Sequence, residues 1–100
     1  MAAVKLDGAA RDEALRALGE AGWSLVDGRE AVSKTYRFAS FIEAFGWMTR
    51  AAIHAETLNH HPEWFNVYNR VEVTLATHDV GGLSELDLEL AKRLDALPTG

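Results

Sequence analysis

One hundred residues, 48% hydrophobic and 25% charged, suffice for one domain with a single core spanning residues 1–100, and leave no room for a second. The formal charge is −5, with ten Lys and Arg scattered among fifteen Asp and Glu, so no basic patch suits a nucleic-acid backbone as a direct partner. The absence of cysteine excludes disulfides, thiolate metal sites and cysteine nucleophiles, and fits a reducing compartment.

The segment Met1 to Lys5 lacks the continuous apolar core of a secretion signal, and no run approaches the ~20 apolar residues of a membrane span, so the expected location is the cytoplasm. Ala10, Ala14, Leu15, Leu18 and Ala21 recur at helical spacing, with Gly22 placed for a left-handed helix end. Trp23 to Leu25 reads as a short strand, and Asp27-Gly28 turns the chain into a second strand from Val32 to Phe38, whose inward parity of Val32, Tyr36 and Phe38 is interrupted by Lys34.

Ser40 and Glu43 predict a capping box that opens a second helix. Phe41, Phe45, Met48, Ala52 and Ala55 step by three and four, an apolar stripe expected to face the sheet. Pro62 disfavours helical geometry at His61, so that helix finishes near Leu58 to His60. Trp64 to Tyr68 and Val71 to Ala76 form a hairpin, with Asn69-Arg70 expected at its turn. Gly81-Gly82 ends it, and Ser84 with Asp87 caps a third helix carrying Leu86, Leu90, Leu94 and Leu97 inward. The order α-β-β-α-β-β-α predicts an α+β fold, an antiparallel four-stranded sheet with three helices on one face.

All four histidines lie between His54 and His78. With Asn69 and Arg70 at the turn, cross-strand partners sum to 139, which sets His61 opposite His78 and gathers His60, His61 and His78 at one end of the hairpin. Imidazole has an unperturbed pKa of ~6.5, so each ring can give or take a proton at neutral pH. Glu56, four residues before His60 on one helical face, can orient that ring and favours His60 as the acid.

Competing readings are weaker. A lone histidine at a helix end ordinarily complements the helix dipole, but three converging rings do not fit that role. A metal site of Glu56, His60 or His61, and His78 matches no standard zinc spacing. Ser33, Ser40 and Ser84 lack the glycine-flanked elbow of a hydrolase nucleophile. Asp87 is most economically a helix cap, and His54 a surface or interface residue.

The pattern Glu56-x3-His60-His61-Pro62-x5-Tyr68-x9-His78-x8-Asp87, with Gly22-Trp23 and Thr77-His78-Asp79-x-Gly81-Gly82-Leu83, resembles the signature of pterin-4a-carbinolamine dehydratases over nearly the whole chain. The resemblance implies an enzyme that removes water from 4a-hydroxytetrahydropterin to give quinonoid dihydropterin, without metal or organic cofactor, and so recycles the cofactor of aromatic amino-acid hydroxylases. It implies catalytic roles for His60, His61 and His78, with His61 the first choice for the acid and His78 for the base or its positioning partner; this conflicts with the Glu56 argument for His60, and the assignment stays open. Trp23, Glu56, Asn59, Pro62, Thr77, Asp79 and Asp87 would shape the site. Two rivals follow from the same resemblance: a dimerisation cofactor of a homeodomain transcription factor, and a pterin-binding role in molybdopterin metabolism. Phe65 and Val67 share a hairpin face with Glu72 and Thr74 instead of the core, which points to an interface in a homodimer or homotetramer.

Overall fold

Local signals place the helices and strands close to where the sequence predicts them in a computed structural model that describes residues 2–99. The elements are α1 (Gly8–Glu20), β1 (Ser24–Leu25), β2 (Val32–Arg37), α2 (Phe41–Leu58), β3 (Glu63–Val67), β4 (Arg70–Leu75) and α3 (Glu85–Ala96), with one 3-10 turn, His78–Val80, between β4 and α3. The strands form one antiparallel sheet in the order β1-β2-β4-β3. The fold is the expected α+β arrangement.

The core lies between the sheet and the helices. Val32, Tyr36, Val71, Val73 and Leu75 point inward from the strands and meet Ala44, Trp47, Ala51 and Ala55 of α2 and Leu90, Ala91 and Leu94 of α3. Trp47 is wholly buried, with ring centroids 4.4 Å from Tyr36 and 5.5 Å from Phe38. Truncation of such a side chain to Ala typically costs ~3–5 kcal/mol. Lys34 breaks the inward parity of β2 because its ammonium has partners: Nζ donates to Ala21 O and to Asp95 Oδ1, both at 2.7 Å, and sits 5.0 Å from the Tyr36 ring centroid.

Three expectations are corrected. The buried face of α2 is Ala44, Trp47, Ala51 and Ala55, whereas Phe41, Phe45 and Ala52 of the expected stripe are exposed. At ~100° per residue the two stripes differ by roughly 75°. A face of one tryptophan and three alanines lets the helix backbone lie close to the sheet, which two phenylalanines would hold off. Second, the Ser40 hydroxyl accepts from Glu43 N–H at 3.2 Å, but the carboxylate does not return the bond, and its Oε2 is buried without a partner.

Third, the hairpin turns at Tyr68-Asn69, not at Asn69-Arg70. Val67 pairs with Arg70 and Trp64 with Val73, so partners sum to 137. Arg70 is held in the ladder by Arg37 on its other side, and Asn69 docks the turn onto β2, accepting from Phe38 N–H at 2.8 Å and donating to Phe38 O at 2.9 Å. Tyr68 takes the left-handed backbone, φ 51°, that Asn69 was expected to adopt. A shift of two in the sum keeps every side chain on its expected face.

Candidate active site

The end of α2 sets the site. Asn59 adopts a left-handed conformation, φ 50° and ψ 44°, and the following His60 N–H returns to Ala55 O at 2.9 Å, so the helix closes and the chain turns sharply. His61, forced extended by Pro62, then leads into β3. On the facing side, Thr77 pairs with Gly82 across the 3-10 turn, whose exit needs Gly81 at φ 67°. The end of α2, the start of β3, the end of β4 and the start of α3 thereby surround a cavity of about 590 Å³, lined among others by Asn59, His60, His61, Glu63, Thr77, His78 and Asp79. That volume lies within the ~300–1,000 Å³ typical of small-molecule sites.

The three imidazoles do line one cavity, but not by direct opposition. The ladder ends at Glu63 and Thr74, and its sum of 137 would set His61 against Ala76. His78 reaches the cavity from the 3-10 turn beyond the strand instead.

Each ring has a carboxylate neighbour. His60, 8% exposed, has Nε2 2.6 Å from Oδ1 of Asp87, itself 1% exposed. Oδ2 of Asp87 accepts from Thr77 Oγ1–H at 2.7 Å and from Ser84 N–H at 2.9 Å. With Thr77 donating, the 2.7 Å contact between its oxygen and Ser84 Oγ must take its proton from Ser84, whose oxygen in turn accepts from Leu86 N–H at 3.2 Å. The hydroxyl and backbone donors of this buried network thus converge on Oδ2 of Asp87 and leave Oδ1 to His60. Against an ionised Asp87 the His60 ring donates from Nε2, and Nδ1 is its remaining nitrogen. The cap of α3 and the orientation of His60 thus depend on the same side chain.

The exposed rings behave differently. His61 Nε2 lies 2.8 Å from Glu56 Oε1, so the carboxylate that the sequence assigned to His60 serves its neighbour. The cause is the tight left-handed turn at Asn59, which carries His60 under α3 and leaves His61 on the Glu56 side. His78 Nε2 stands 3.3 Å from Glu63 Oε2.

Among the other residues expected at the site, Asn59, Thr77 and Asp79 line the cavity, while Glu56 and Asp87 stand behind it in contact with His61 and His60. Pro62 contributes by fixing the chain between His61 and Glu63. Trp23 is not at the site: it is 3% exposed in the core, edge-on to Tyr36, with its indole N–H donated to Asp95 Oδ2 at 3.0 Å. Tyr68 of the sequence pattern lies at the far turn of the hairpin.

Glu63 and Arg29 join this cluster from outside the expected set. Glu63 follows Pro62 directly and shares the outward parity of β3 with Phe65 and Val67, a detectable signal. Arg29, 34 residues earlier in a turn, has no local pattern to reveal it; it clamps Glu63 through Nη1–Oε1 at 2.9 Å and Nη2–Oε2 at 2.8 Å. Hydrogen bonding from Arg29, opposed by partial desolvation and aided by His78, holds the Glu63 carboxyl down at about 2. Among the described residues no three of His, Asp and Glu are grouped so as to hold a metal ion.

One buried and two exposed imidazoles, each beside a carboxylate, face a single polar volume, an arrangement chemically able to give and take protons on a small molecule. The family described as Pterin 4 alpha carbinolamine dehydratase matches residues 4–97, and the chain belongs to that family. A relative from Jannaschia sp., provisionally named pterin-4-alpha-carbinolamine dehydratase, is 61% identical over 95% of this chain and 97% of its own. One from Dinoroseobacter shibae, with the same provisional name, is 59% identical over 95% of this chain and 98% of its own. The crystal structure of a transcriptional coactivator/pterin dehydratase from Brucella melitensis superposes with a TM-score of 0.87 at 52% identity, covering 97% of this chain and all of that one. A pterin dehydratase-like RuBisCO assembly factor of the alpha-carboxysome shares the fold, with a TM-score of 0.64 at 22% identity, covering 75% of this chain and 87% of that one.

Proposed function

We propose that this protein dehydrates 4a-hydroxytetrahydropterin to quinonoid dihydropterin by histidine acid–base catalysis. The observation that carries the reading is the contact of His60 with the buried Asp87 behind the wall of a cavity that His60, His61 and His78 all line. The C4a–O bond breaks with its electron pair leaving on oxygen, a protonated histidine converts that oxygen to water, the N5 lone pair forms the C4a=N5 bond, and a neutral histidine takes the N5 proton. Atoms and charge balance without a redox partner. His61, paired with Glu56, is the acid. His60, with its lone pair on Nδ1 and Asp87 behind Nε2, is the acceptor, because the imidazolium it becomes is compensated in place. His78 then takes the positioning part of its expected role. General acid–base assistance of this kind contributes typically ~10²–10⁴-fold.

The same reading places the protein in the cytoplasm, recycling a reduced pterin for a hydroxylase. Among the described residues no helix is long and apolar enough to cross a membrane. It also takes the exposed apolar side chains as self-association surfaces. Phe65 and Val67 are 58% and 45% exposed on the open face of the sheet, and Phe41, Ile42, Phe45 and Ile53 add a second surface on α2. The alternative function, partner binding without chemistry, is favoured by the likeness to the transcriptional coactivator/pterin dehydratase of Brucella melitensis. Incubating the protein with a synthetic 4a-hydroxytetrahydropterin separates the two: acceleration of dehydration supports the enzyme, and no acceleration leaves the binding role.

A further inference from the structure

We propose that Arg29 is a positioning residue for His78, acting through Glu63: its guanidinium fixes the carboxylate so that Oε2 meets the His78 ring without being captured by it. This rests on the reading of His78 as a site residue.

The geometry is a line of three groups from three segments. Arg29 grips both oxygens of Glu63, at 2.9 and 2.8 Å, whereas His78 reaches one of them at 3.3 Å. A fork-to-fork guanidinium–carboxylate pair is both stronger and more directional than a single long contact, so Arg29 decides where the carboxylate stands. The turn that carries Arg29 is itself fixed. Gly28 supplies φ 76°, Val26 N–H donates to Ala31 O at 2.9 Å, and Arg29 N–H donates to Val26 O at 3.3 Å. Depression of the Glu63 carboxyl to about 2, with Arg29 the first cause, agrees with this order of strengths.

Other charged groups around His78 are accounted for. Glu30, from the same turn as Arg29, is held by Arg11 at 3.0 and 2.8 Å. Asp79 follows His78 in the 3-10 turn, and His60 and His61 share the cavity from the α2 side. Lys5 lies beyond Gly82, on the Glu30 side. Among these groups, Glu63 makes the one hydrogen bond to the His78 ring, and Arg29 controls Glu63.

An exposed ion pair contributes little to stability, so a purely structural Arg29 would be nearly silent. A positioning Arg29 is not silent at His78. Removing the guanidinium takes away a nearby positive charge and frees the carboxylate to pair fully with the imidazolium, and both changes favour the protonated ring.

The test is an NMR titration of the His78 ring in the parent, Arg29→Gln, and Arg29→Gln/Glu63→Gln proteins, with dehydration rates measured alongside. The proposal expects the ring to titrate at higher pH in the single variant and to move back towards the parent in the double variant. It also expects kcat/KM to fall about tenfold in R29Q with folding unchanged, since displacing a positioned group by a fraction of an ångström costs up to ~10²-fold. An unmoved or lowered His78 titration in R29Q, or a moved titration with an unchanged rate, overturns it. The titration reads without turnover, so a protein that fails to dehydrate pterin at all sinks the functional reading and not the Arg29–Glu63–His78 linkage.

Discussion

His60 Nε2 and Asp87 Oδ1 lie 2.6 Å apart across 27 residues of chain, joining the exit of α2 to the first turn of α3. The carboxylate is simultaneously the reciprocal partner in the Ser84 capping box. Helix capping and imidazole orientation are therefore inseparable at this position, and anything that disturbs Asp87 must register in both stability and chemistry.

Asp87→Asn tests this. The amide keeps the shape of the carboxylate but must set its NH2 against either His60 Nε2 or the Thr77 and Ser84 donors. If the NH2 faces His60, the ring proton moves to Nδ1 and the base is lost. The expected result is a fall in kcat of ~10²-fold or more. Loss of stability should be ~1–3 kcal/mol, the usual cost of an unsatisfied buried polar group, read by denaturant unfolding. Normal kcat would detach His60 from the proposed acceptor role.

Acid stability carries the signature of Glu63. Its folded carboxyl is depressed from 4.5 to about 2, chiefly by the Arg29 hydrogen bonds. A depressed carboxyl stabilises the fold above its unfolded value, and that contribution drains away as pH falls from 4.5 towards about 2. Glu63→Gln should thus be less stable than the parent at pH 6, by no more than ~1 kcal/mol for so exposed a pair, and the gap should close across that acid window. A gap independent of pH contradicts the assignment.

Alkaline stability reports on Tyr36. Burial, with the 2.5 Å hydrogen bond to Asp95 Oδ1 and the Asp95 charge behind it, pushes this phenol far above its usual range. A raised folded value stabilises the fold below the unfolded phenol value of 10.0, and the benefit is lost as pH climbs beyond it. Tyr36→Phe should cost ~1–2 kcal/mol at pH 8 and converge on the parent above pH 10, measured by urea unfolding at each pH. Parallel curves through pH 11 would place the Tyr36 effect in packing alone.

Much of this architecture is legible in the residues. Ser84 and Asp87 mark the start of α3, Gly22 and Asn59 sit at helix exits, and the alternation in β2 and β4 reports the buried face. The gathering of His60, His61 and His78 does not depend on the hairpin register, because the end of α2, the end of β4 and the following turn converge whichever pair closes the loop. What escaped depended on competition between elements. The Phe41 and Phe45 stripe is as periodic as the Trp47 stripe, and only the sheet's shape chooses between them. Glu56 lies within helical reach of His60, yet the left-handed backbone at Asn59 hands it to His61. Arg29 carries no local pattern at all.

The exposed side of α2 is testable by association. Ile42 is 77% exposed and Phe45 54%, and exposed apolar side chains grouped on one helix suit an association surface. Ile42→Glu with Phe45→Glu should leave helicity intact by circular dichroism while lowering the mass seen in sedimentation equilibrium. A parent that already sediments as a monomer at micromolar concentration contradicts the self-association reading.

The central claim is that imidazoles alone carry the chemistry, and stopped-flow dehydration of synthetic 4a-hydroxytetrahydropterin tests it most directly. The parent should accelerate the reaction, and replacing His61 or His78 by Ala should lower turnover by ~10²-fold or more with the fold retained. Near-parental turnover in both variants would contradict the account.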